Sequence, residues 1–323
     1  MTLSDEETQA EVLSIEKIET IIEVMPDADE GDLELVAGAE PVARSQFRLI
    51  TRRFLRHKPA VISSFLLLAV LVMCFGASWI APFDRNQIDL LAKIEGPSRH
   101  HLFGFDQLGR DYFTEILFAG QVSLKIGIAV GLISTVIGFG AGAIAGYFGG
   151  AIDNALMRFT DLFLLIPGIA VLAVALKYFG YKDLTIILVL AGLAWMSVAR
   201  VVRSQVLSLR EKEFVEAARA SGASSRRIIL RHILPNMLGP IMVNATLGIA
   251  GAIIVEATLS FLGFGIQPPK SSWGKMLSDA EGVIGGDKAY LIYFPGLMLL
   301  IVVMCVNFIG DGLRDAFDPQ AKH

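Results

Sequence analysis

Long runs of apolar residues are the feature that most limits what this chain can fold into. Six runs, most of them about twenty residues long, match the length that an α-helix needs to cross roughly 30 Å of hydrocarbon. Among 323 residues, 54% are apolar and only 19% are charged, which is more apolar than soluble domains usually are. We therefore expect an all-α integral membrane protein with six transmembrane helices, and we exclude a soluble enzyme, a nucleic-acid binder and a secreted disulfide scaffold. The runs cover residues 60–83, 124–148, 155–179, 184–198, 237–264 and 290–309.

Lysine and arginine are distributed unequally between the segments that flank these runs. Six of them closely precede the first run and eight lie in residues 199–236, whereas residues 84–123 contain four and residues 265–289 contain three. An excess of Lys and Arg marks the cytoplasmic side of a membrane protein. We therefore expect both termini in the cytoplasm (N-in/C-in), with residues 44–59 as a basic cytoplasmic lead-in and residues 84–123 as an external loop.

The N-terminal segment differs in composition from the rest of the chain. Residues 1–40 carry thirteen acidic residues and one basic residue, a net charge of −12, and no aromatic residue. Such a segment cannot bury enough apolar surface to offset the entropy of folding. It predicts an acidic, disordered cytoplasmic tail over residues 1–43, with a segment that docks on a partner as the alternative. Residues 320–323 form a short C-terminal tail.

Small residues recur every fourth position in the second apolar run, which places them on one helical face. Glycine at this spacing allows another helix to approach closely within a membrane. The pattern predicts a helix-packing seam. Pro167 and Pro295 each remove a backbone hydrogen bond inside an apolar run, so we expect kinks there. The residues of the predicted seam are Ser134, Gly138, Gly142, Gly146 and Gly150.

The segment 199–236 contains the most informative pattern. Residues 211–221 are good helix formers, and Gly222 is a natural stop after them. Ser224 can cap a second helix that ends before Pro235. Ala217 and Ala218 present a surface of little bulk to a partner, with the Glu216 carboxylate beside them. Taken alone, the pattern also fits a solvated connection.

These residues carry a resemblance to a known family. Glu-Ala-Ala, three residues, Gly, and then Leu-Pro, at residues 216–222 and 234–235, resemble the coupling loop of ABC importer permeases. His232 stands where the general pattern often has Ile, and this form is similar to the peptide-transporter branch. Phe105 replaces the usual Thr in another segment of that branch. Four further segments, in chain order, resemble it: 101–111, 153–167, 256–274 and 310–315.

Over about residues 45–319 the chain resembles the C-type permease subunit of a dipeptide/oligopeptide (or nickel) ABC importer. The resemblance implies a type I ABC importer permease fold in the bacterial cytoplasmic membrane, with five core transmembrane helices in residues 124–319. It implies a homologous permease subunit, two ATPase subunits or domains that hold ATP and Mg, an extracytoplasmic binding protein, a peptide substrate and membrane lipid. The ATPase-coupling residues are then Phe214, Glu216, Ala217, Ala218, Gly222 and Pro235.

The chain itself is expected to be non-catalytic and without a cofactor, because it contains no G-x-x-x-x-G-K-[ST] phosphate loop. An intramembrane enzyme and a channel are the remote alternatives. The five histidines lie outside the apolar runs and form no H-E-x-x-H motif, and the chain has no repeated filter. Within the importer class, nickel chelates or another small solute are the alternatives to peptides.

A further group of charged residues is predicted to have gating or structural roles. Glu256 lies inside an apolar run, so it needs a partner or a wet cavity. Arg158 and Asp161 are three residues apart and can pair on one helical face, in a structural or gating role. Asp106 and Arg110 resemble a docking or gating pair.

Overall fold

The computed structural model describes residues 46–89, 95–283 and 288–317, and every structural statement below refers to these residues. The described residues from 51 onward form one compact unit, and residues 46–50 belong to a smaller one. The tails predicted over 1–43 and 320–323 lie outside the described residues.

The described residues form α-helices joined by turns and short irregular segments, and they contain no β-strand. The helices are α1 (Gln46–Arg56), α2 (Lys58–Phe75), α3 (Ala77–Ile80), α4 (Tyr112–Phe148), α5 (Gly150–Leu164), α6 (Gly168–Phe179), α7 (Asp183–Leu209), α8 (Glu213–Ala220), α9 (Ser225–Ile228), α10 (Leu234–Phe261), α11 (Trp273–Asp279) and α12 (Tyr290–Phe317). A five-residue π-helix, Ile229–Ile233, lies between α9 and α10, and a 3₁₀ turn, Glu281–Val283, follows α11.

The described residues contain five helical segments that are long and apolar enough to cross a membrane: α2, α4, α7, α9–α10 and α12. The pair α5 and α6 is bent by 80° and provides a sixth crossing if it counts as one broken span. The break falls at Pro167, which lies directly before α6, so the expected kink at this proline is confirmed. Pro295 lies inside α12 without ending the helix.

Several helix boundaries differ from those expected from the apolar runs, and three of them are explained by particular residues or contacts. The first run does not form one helix over 60–83, because α2 ends before Gly76 and glycine is a poor helix former. Helix α4 begins at Tyr112 rather than at residue 124, because the Asp111 carboxylate accepts a hydrogen bond from the Thr114 amide at 2.8 Å and caps the helix. Helix α7 continues past residue 198 to Leu209.

Helix α4 is the central element of the larger unit. It packs mainly against α7 on one side and α10 on another. Three apolar clusters surround it, and the one that bears on function joins α4 and α7 to α8 and the start of α10. Both cysteines, Cys74 and Cys305, are buried and free, as expected for small apolar core residues.

Candidate functional site

Helix α8 is the short helix that the sequence places in the coupling segment. It is shorter than expected, since it begins at Glu213 rather than at residue 211. The Ser221 amide donates to the Ala217 carbonyl at 2.9 Å, and Gly222 then adopts a φ of +77°. Glycine adopts this left-handed conformation without steric cost. Gly222 therefore ends α8, as the sequence predicted.

Val215 fixes α8 to the rest of the protein. Its side chain is fully buried in a cluster with Val202 and Val206 of α7, Ala143 of α4 and Met237 of α10. Burying a side chain of this size stabilises the contact by roughly 1.5–3 kcal/mol. Because this one apolar cluster includes side chains of α4, α7 and α10, Val215 packs α8 onto a core that the three long helices share.

The opposite face of α8 is open. Phe214 is 39% exposed, and Glu216 and Ala217 are exposed beside it. Ala218 lies three residues after Val215 on the same face and is half-buried against the same cluster. The expectation that Ala217 and Ala218 form one partner-facing surface is therefore wrong for Ala218, because consecutive residues of a helix point about 100° apart.

The segment after α8 is more continuous than expected. The prediction that a second helix ends before Pro235 is wrong, because helical structure runs from Ser225 to Phe261 through the π-helix. Pro235 is exposed at the second residue of α10, directly after the π-helix. The side-chain amide of Asn236 donates to the backbone carbonyl of His232 at 2.6 Å across this junction.

The four-residue glycine repeat lies against α7. A Cβ atom added to Gly138, Gly142 or Gly146 would come within 3.0 Å of a backbone carbonyl oxygen of α7. Gly150 is not part of this contact. It begins α5 with a φ of +55°, and a Cβ there would meet nothing within 4 Å. Including Gly150 in the seam was therefore wrong.

A second close contact of α4 was missed by the sequence analysis. Gly127 and Gly131 lie against Ile253 and Ile249 of α10, and a Cβ atom at either glycine would overlap those side chains. The signal was present, because these two glycines also lie four residues apart. Helix α4 therefore has glycine contacts with both α7 and α10.

A cavity of about 600 Å³ opens between α4, α6, α7 and α10. Its wall is mainly apolar, and its few polar side chains are those of Ser134, Ser197 and Asn244. No charged residue lines it among the described residues. The sequence could not locate this cavity, because its apolar lining is indistinguishable from a face that contacts lipid.

The charged residues of α5 pair with α7 and not with one another. The expected Arg158–Asp161 pair is wrong: Asp161 binds Arg200, and Arg158 is exposed without a partner among the described residues. Asp153 binds the guanidinium group of Arg203 through both carboxylate oxygens. The three-residue spacing allows a pair within α5, but Arg200 and Arg203 of α7 bind Asp161 and Asp153 instead.

Glu256 is buried at a junction of three helices, with 1% of its surface exposed. Its carboxylate accepts hydrogen bonds from Ser260 at 2.7 Å and from Ser123 of α4 at 3.1 Å. The Ser123 hydroxyl in turn accepts a hydrogen bond from the Trp273 amide at the start of α11, at 3.2 Å. Glu256 thus joins α10 to α4 and, through Ser123, to α11. It does not line the apolar cavity.

Asp106 and Arg110 form an ion pair at 2.6 Å in the segment that precedes α4. Asp106 also accepts hydrogen bonds from two backbone amides of the same turn, those of Leu108 and Arg110. Arg110 lies 3.3 Å from Glu115, a fully buried residue that the sequence analysis did not single out. Glu115 also binds Arg85 at 3.1 Å, so these charges hold the segment against the end of α4.

Comparison with known proteins places this arrangement in a family. Residues 138–323 match the family described as "Binding-protein-dependent transport system inner membrane component". The chain belongs to this family. Residues 45–97 also match the N-terminal transmembrane domain of oligopeptide transport permease C. As a member of an inner membrane permease family, the chain is a membrane-embedded, non-catalytic transport subunit, and the ATPase is a different subunit of such importers.

Several curated relatives cover most of the permease. The oligopeptide transport system permease protein OppC of Haemophilus influenzae is 42% identical over 284 residues, which are 86% of this chain and 90% of the relative. OppC of Mycobacterium tuberculosis strain H37Rv is 39% identical over 280 residues, covering 86% and 96%. A putative peptide permease of Brucella ovis is 39% identical over 287 residues, covering 88% and 93%.

A solved structure of the MetNI methionine ABC transporter, in an inward-facing conformation, shares the fold. One of its chains matches with a TM-score of 0.52 and 22% identity, covering 63% of this chain and 96% of that chain. The permease therefore has the type I ABC importer permease fold that the sequence predicted.

Proposed function

We propose that this permease is the C-type membrane subunit of an ATP-driven importer of dipeptides or oligopeptides. The observation that carries the proposal is the relationship to oligopeptide permeases, which extends over 86% of the chain at 42% identity. It includes the first transmembrane segment as well as the core. Nickel chelates remain the second candidate substrate, because the permease branch that the sequence resembles also includes nickel importers.

The proposed partners follow from this role. A homologous permease subunit would supply the other half of the translocation pathway, and an extracytoplasmic binding protein would deliver the peptide. Two ATPase subunits or domains would hold ATP and Mg. The proposed orientation has both termini in the cytoplasm. Six Lys and Arg residues precede the first transmembrane segment and eight lie in residues 199–236, and such an excess marks the cytoplasmic side.

Helix α8 is proposed to receive the movement of the ATPase. Phe214, Glu216 and Ala217 form its open face, where an apolar ring and a small side chain permit close approach. Val215 and Ala218 on the other face contact the cluster shared with α7 and α10. A displacement of α8 would therefore shift those helices as packed bodies and switch the pathway between inward- and outward-facing states.

Gly222 and Pro235 complete the set of residues proposed for coupling. The left-handed φ of Gly222 sets the turn from α8 to α9, and Pro235 lies where the chain enters α10. The cavity between α4, α6, α7 and α10 is proposed to be this subunit's part of the pathway. An apolar wall without charges would let peptides of different sequence pass without holding them.

Uptake by a strain that lacks this subunit tests the proposal. Labelled dipeptides, tripeptides, longer peptides and a nickel chelate are offered to the deletion strain and to the same strain complemented with the full chain. We expect peptide uptake to be lost and restored. Restoration of nickel uptake alone would replace peptide by nickel as the substrate, and no effect on any of these solutes would contradict the proposal.

A further inference from the structure

Two lysines from different parts of the fold converge on a single acid, Asp183, at the beginning of α7. Lys270, in the segment after α10, lies 2.9 and 2.8 Å from the two carboxylate oxygens of Asp183. Lys125 of α4 lies 3.2 Å from one of them. Asp183 has 8% of its surface exposed, whereas the two lysine side chains are 54% and 56% exposed. One carboxylate cannot neutralise two ammonium groups, so a positive charge remains.

Two more lysines lie on the turn that leads into Asp183. Lys177 is in the last turn of α6, and Lys182 directly precedes Asp183. Both are exposed, and neither has an ion-pair partner among the described residues. We refer to Lys125, Lys270 and Asp183 as the Asp183 lysine cluster. Its net formal charge is +1, and Lys177 and Lys182, which lie six residues and one residue before Asp183, add two positive charges to the adjoining turn.

The surroundings of the cluster resemble a membrane boundary. Between α6 and α7, Tyr178 is 77% exposed, Phe179 72% and Tyr181 47%. Exposed aromatic rings next to lysines at the ends of apolar helices are typical of the level of the lipid headgroups. On α7, Leu184 and Leu188 follow Asp183 by one and five residues and are 63% and 56% exposed. Exposed leucine side chains are expected where a helix enters the acyl-chain region.

We propose that the Asp183 lysine cluster binds the phosphate of an anionic phospholipid. The negative charge of a phosphate group balances the excess positive charge of the cluster. Lysine ammonium groups bind phosphate as point charges. The expected orientation places the cluster at the external membrane boundary, where exposed ammonium groups attract an anionic headgroup that lies within a Debye length of them. The inference depends on the membrane location of the chain and is independent of the transported substrate.

Lipid retention by the purified importer complex tests this proposal. The complex is reconstituted in nanodiscs of phosphatidylethanolamine with a titrated fraction of phosphatidylglycerol, and retained phosphatidylglycerol is counted by native mass spectrometry. Lys125→Gln and Lys270→Gln are each expected to weaken retention about fivefold. Lys288→Gln, which removes the same charge just before α12, is the matched control and is expected to leave retention unchanged.

Asp183→Asn gives the decisive comparison, because it should act in the opposite direction. It removes the only acid of the cluster and raises the net charge, so phosphatidylglycerol retention should increase. Damage to the fold would change the retention of both lipids, so an increase in phosphatidylglycerol without an increase in phosphatidylethanolamine identifies the effect of charge. Equal retention by the wild type and the lysine variants would overturn the proposal, as would a decrease in Asp183→Asn. If uptake of peptide falls in the lysine variants while lipid retention is unchanged, the cluster serves substrate and the lipid proposal is wrong.

Discussion

Arg203 of α7 binds both carboxylate oxygens of Asp153, which lies in the first turn of α5. Asp153 is buried, with 8% of its surface exposed. The pair therefore fixes the beginning of the broken span α5–α6 to the long helix that carries the cluster around Val215. Three residues earlier on α7, Arg200 pairs with Asp161, but the side chains of this pair are 45% and 62% exposed.

We expect Arg203→Gln to destabilise the permease and Arg200→Gln to have little effect. The first substitution leaves the buried Asp153 carboxylate without its charged partner, which costs about 1–3 kcal/mol. The second removes an exposed pair, and such pairs contribute about 0–1 kcal/mol. The apparent melting temperature of the detergent-purified complex, compared between the two variants, measures the difference.

Exchanging the two charges provides the control for this prediction. Arg203→Asp combined with Asp153→Arg restores opposite charges at the same two positions, and we expect it to recover part of the lost stability. Equal stability of Arg203→Gln and Arg200→Gln would show that burial of Asp153 does not decide the effect.

The contact between α4 and α7 predicts different outcomes for two neighbouring glycines. Gly142→Ala places a Cβ against the Ala199 carbonyl and Val202, so α7 must move away, at a cost of about 1–3 kcal/mol. Gly140→Ala meets nothing within 4 Å and should be neutral or slightly stabilising, because alanine is the better helix former. Thermal unfolding of both variants checks the prediction, and a destabilised Gly140→Ala with an unaffected Gly142→Ala would contradict the packing described.

The hydrogen bonds of Glu256 predict that removing its carboxylate loosens the junction of α10, α4 and α11. Glu256→Ala leaves the hydroxyls of Ser123 and Ser260 without their acceptor, and we expect a loss of about 1–3 kcal/mol. Glu256→Gln keeps an acceptor oxygen and should lose less.

Thr258→Ala is the matched control for Glu256, because Thr258 is exposed on the same helix and bonds only within it. We expect it to change stability by no more than about 0.5 kcal/mol. Limited proteolysis and thermal unfolding of the three variants measure these differences. Equal effects of Glu256→Ala and Thr258→Ala would mean that Glu256 does not hold the junction.

The sequence predicted the fold because the long apolar runs and the family motifs are local signals. It located α8 and its stop at Gly222, since helix formers followed by glycine are sufficient for that. It could not place Ala218 on the inner face, because this depends on where Val215 packs. The end of α7 was missed for the same reason: Arg200 and Arg203 look like the end of a span until their partners on α5 are known.

Residues that act over long sequence distances were the least predictable. The spacing of Arg158 and Asp161 favoured a local ion pair, and only the packing of α5 on α7 gives Asp161 its partner. Pro235 was expected to end a helix, but the π-helix before it lets the chain continue into α10. No pattern in the sequence brings Lys125 and Lys270 to Asp183, because they lie 58 and 87 residues from it.

Ala217 allows a test of whether α8 transmits the movement of an ATPase. Peptide uptake by cells and ATP hydrolysis by the purified complex are measured for Ala217→Arg and for Ala217→Ser, which keeps the side chain small. We expect Ala217→Arg to assemble in the membrane but to lose at least about tenfold in uptake, which a coupling loss of about 1.4 kcal/mol is enough to produce. Ala217→Ser should retain uptake. Wild-type uptake by an assembled Ala217→Arg complex would contradict the role proposed for α8.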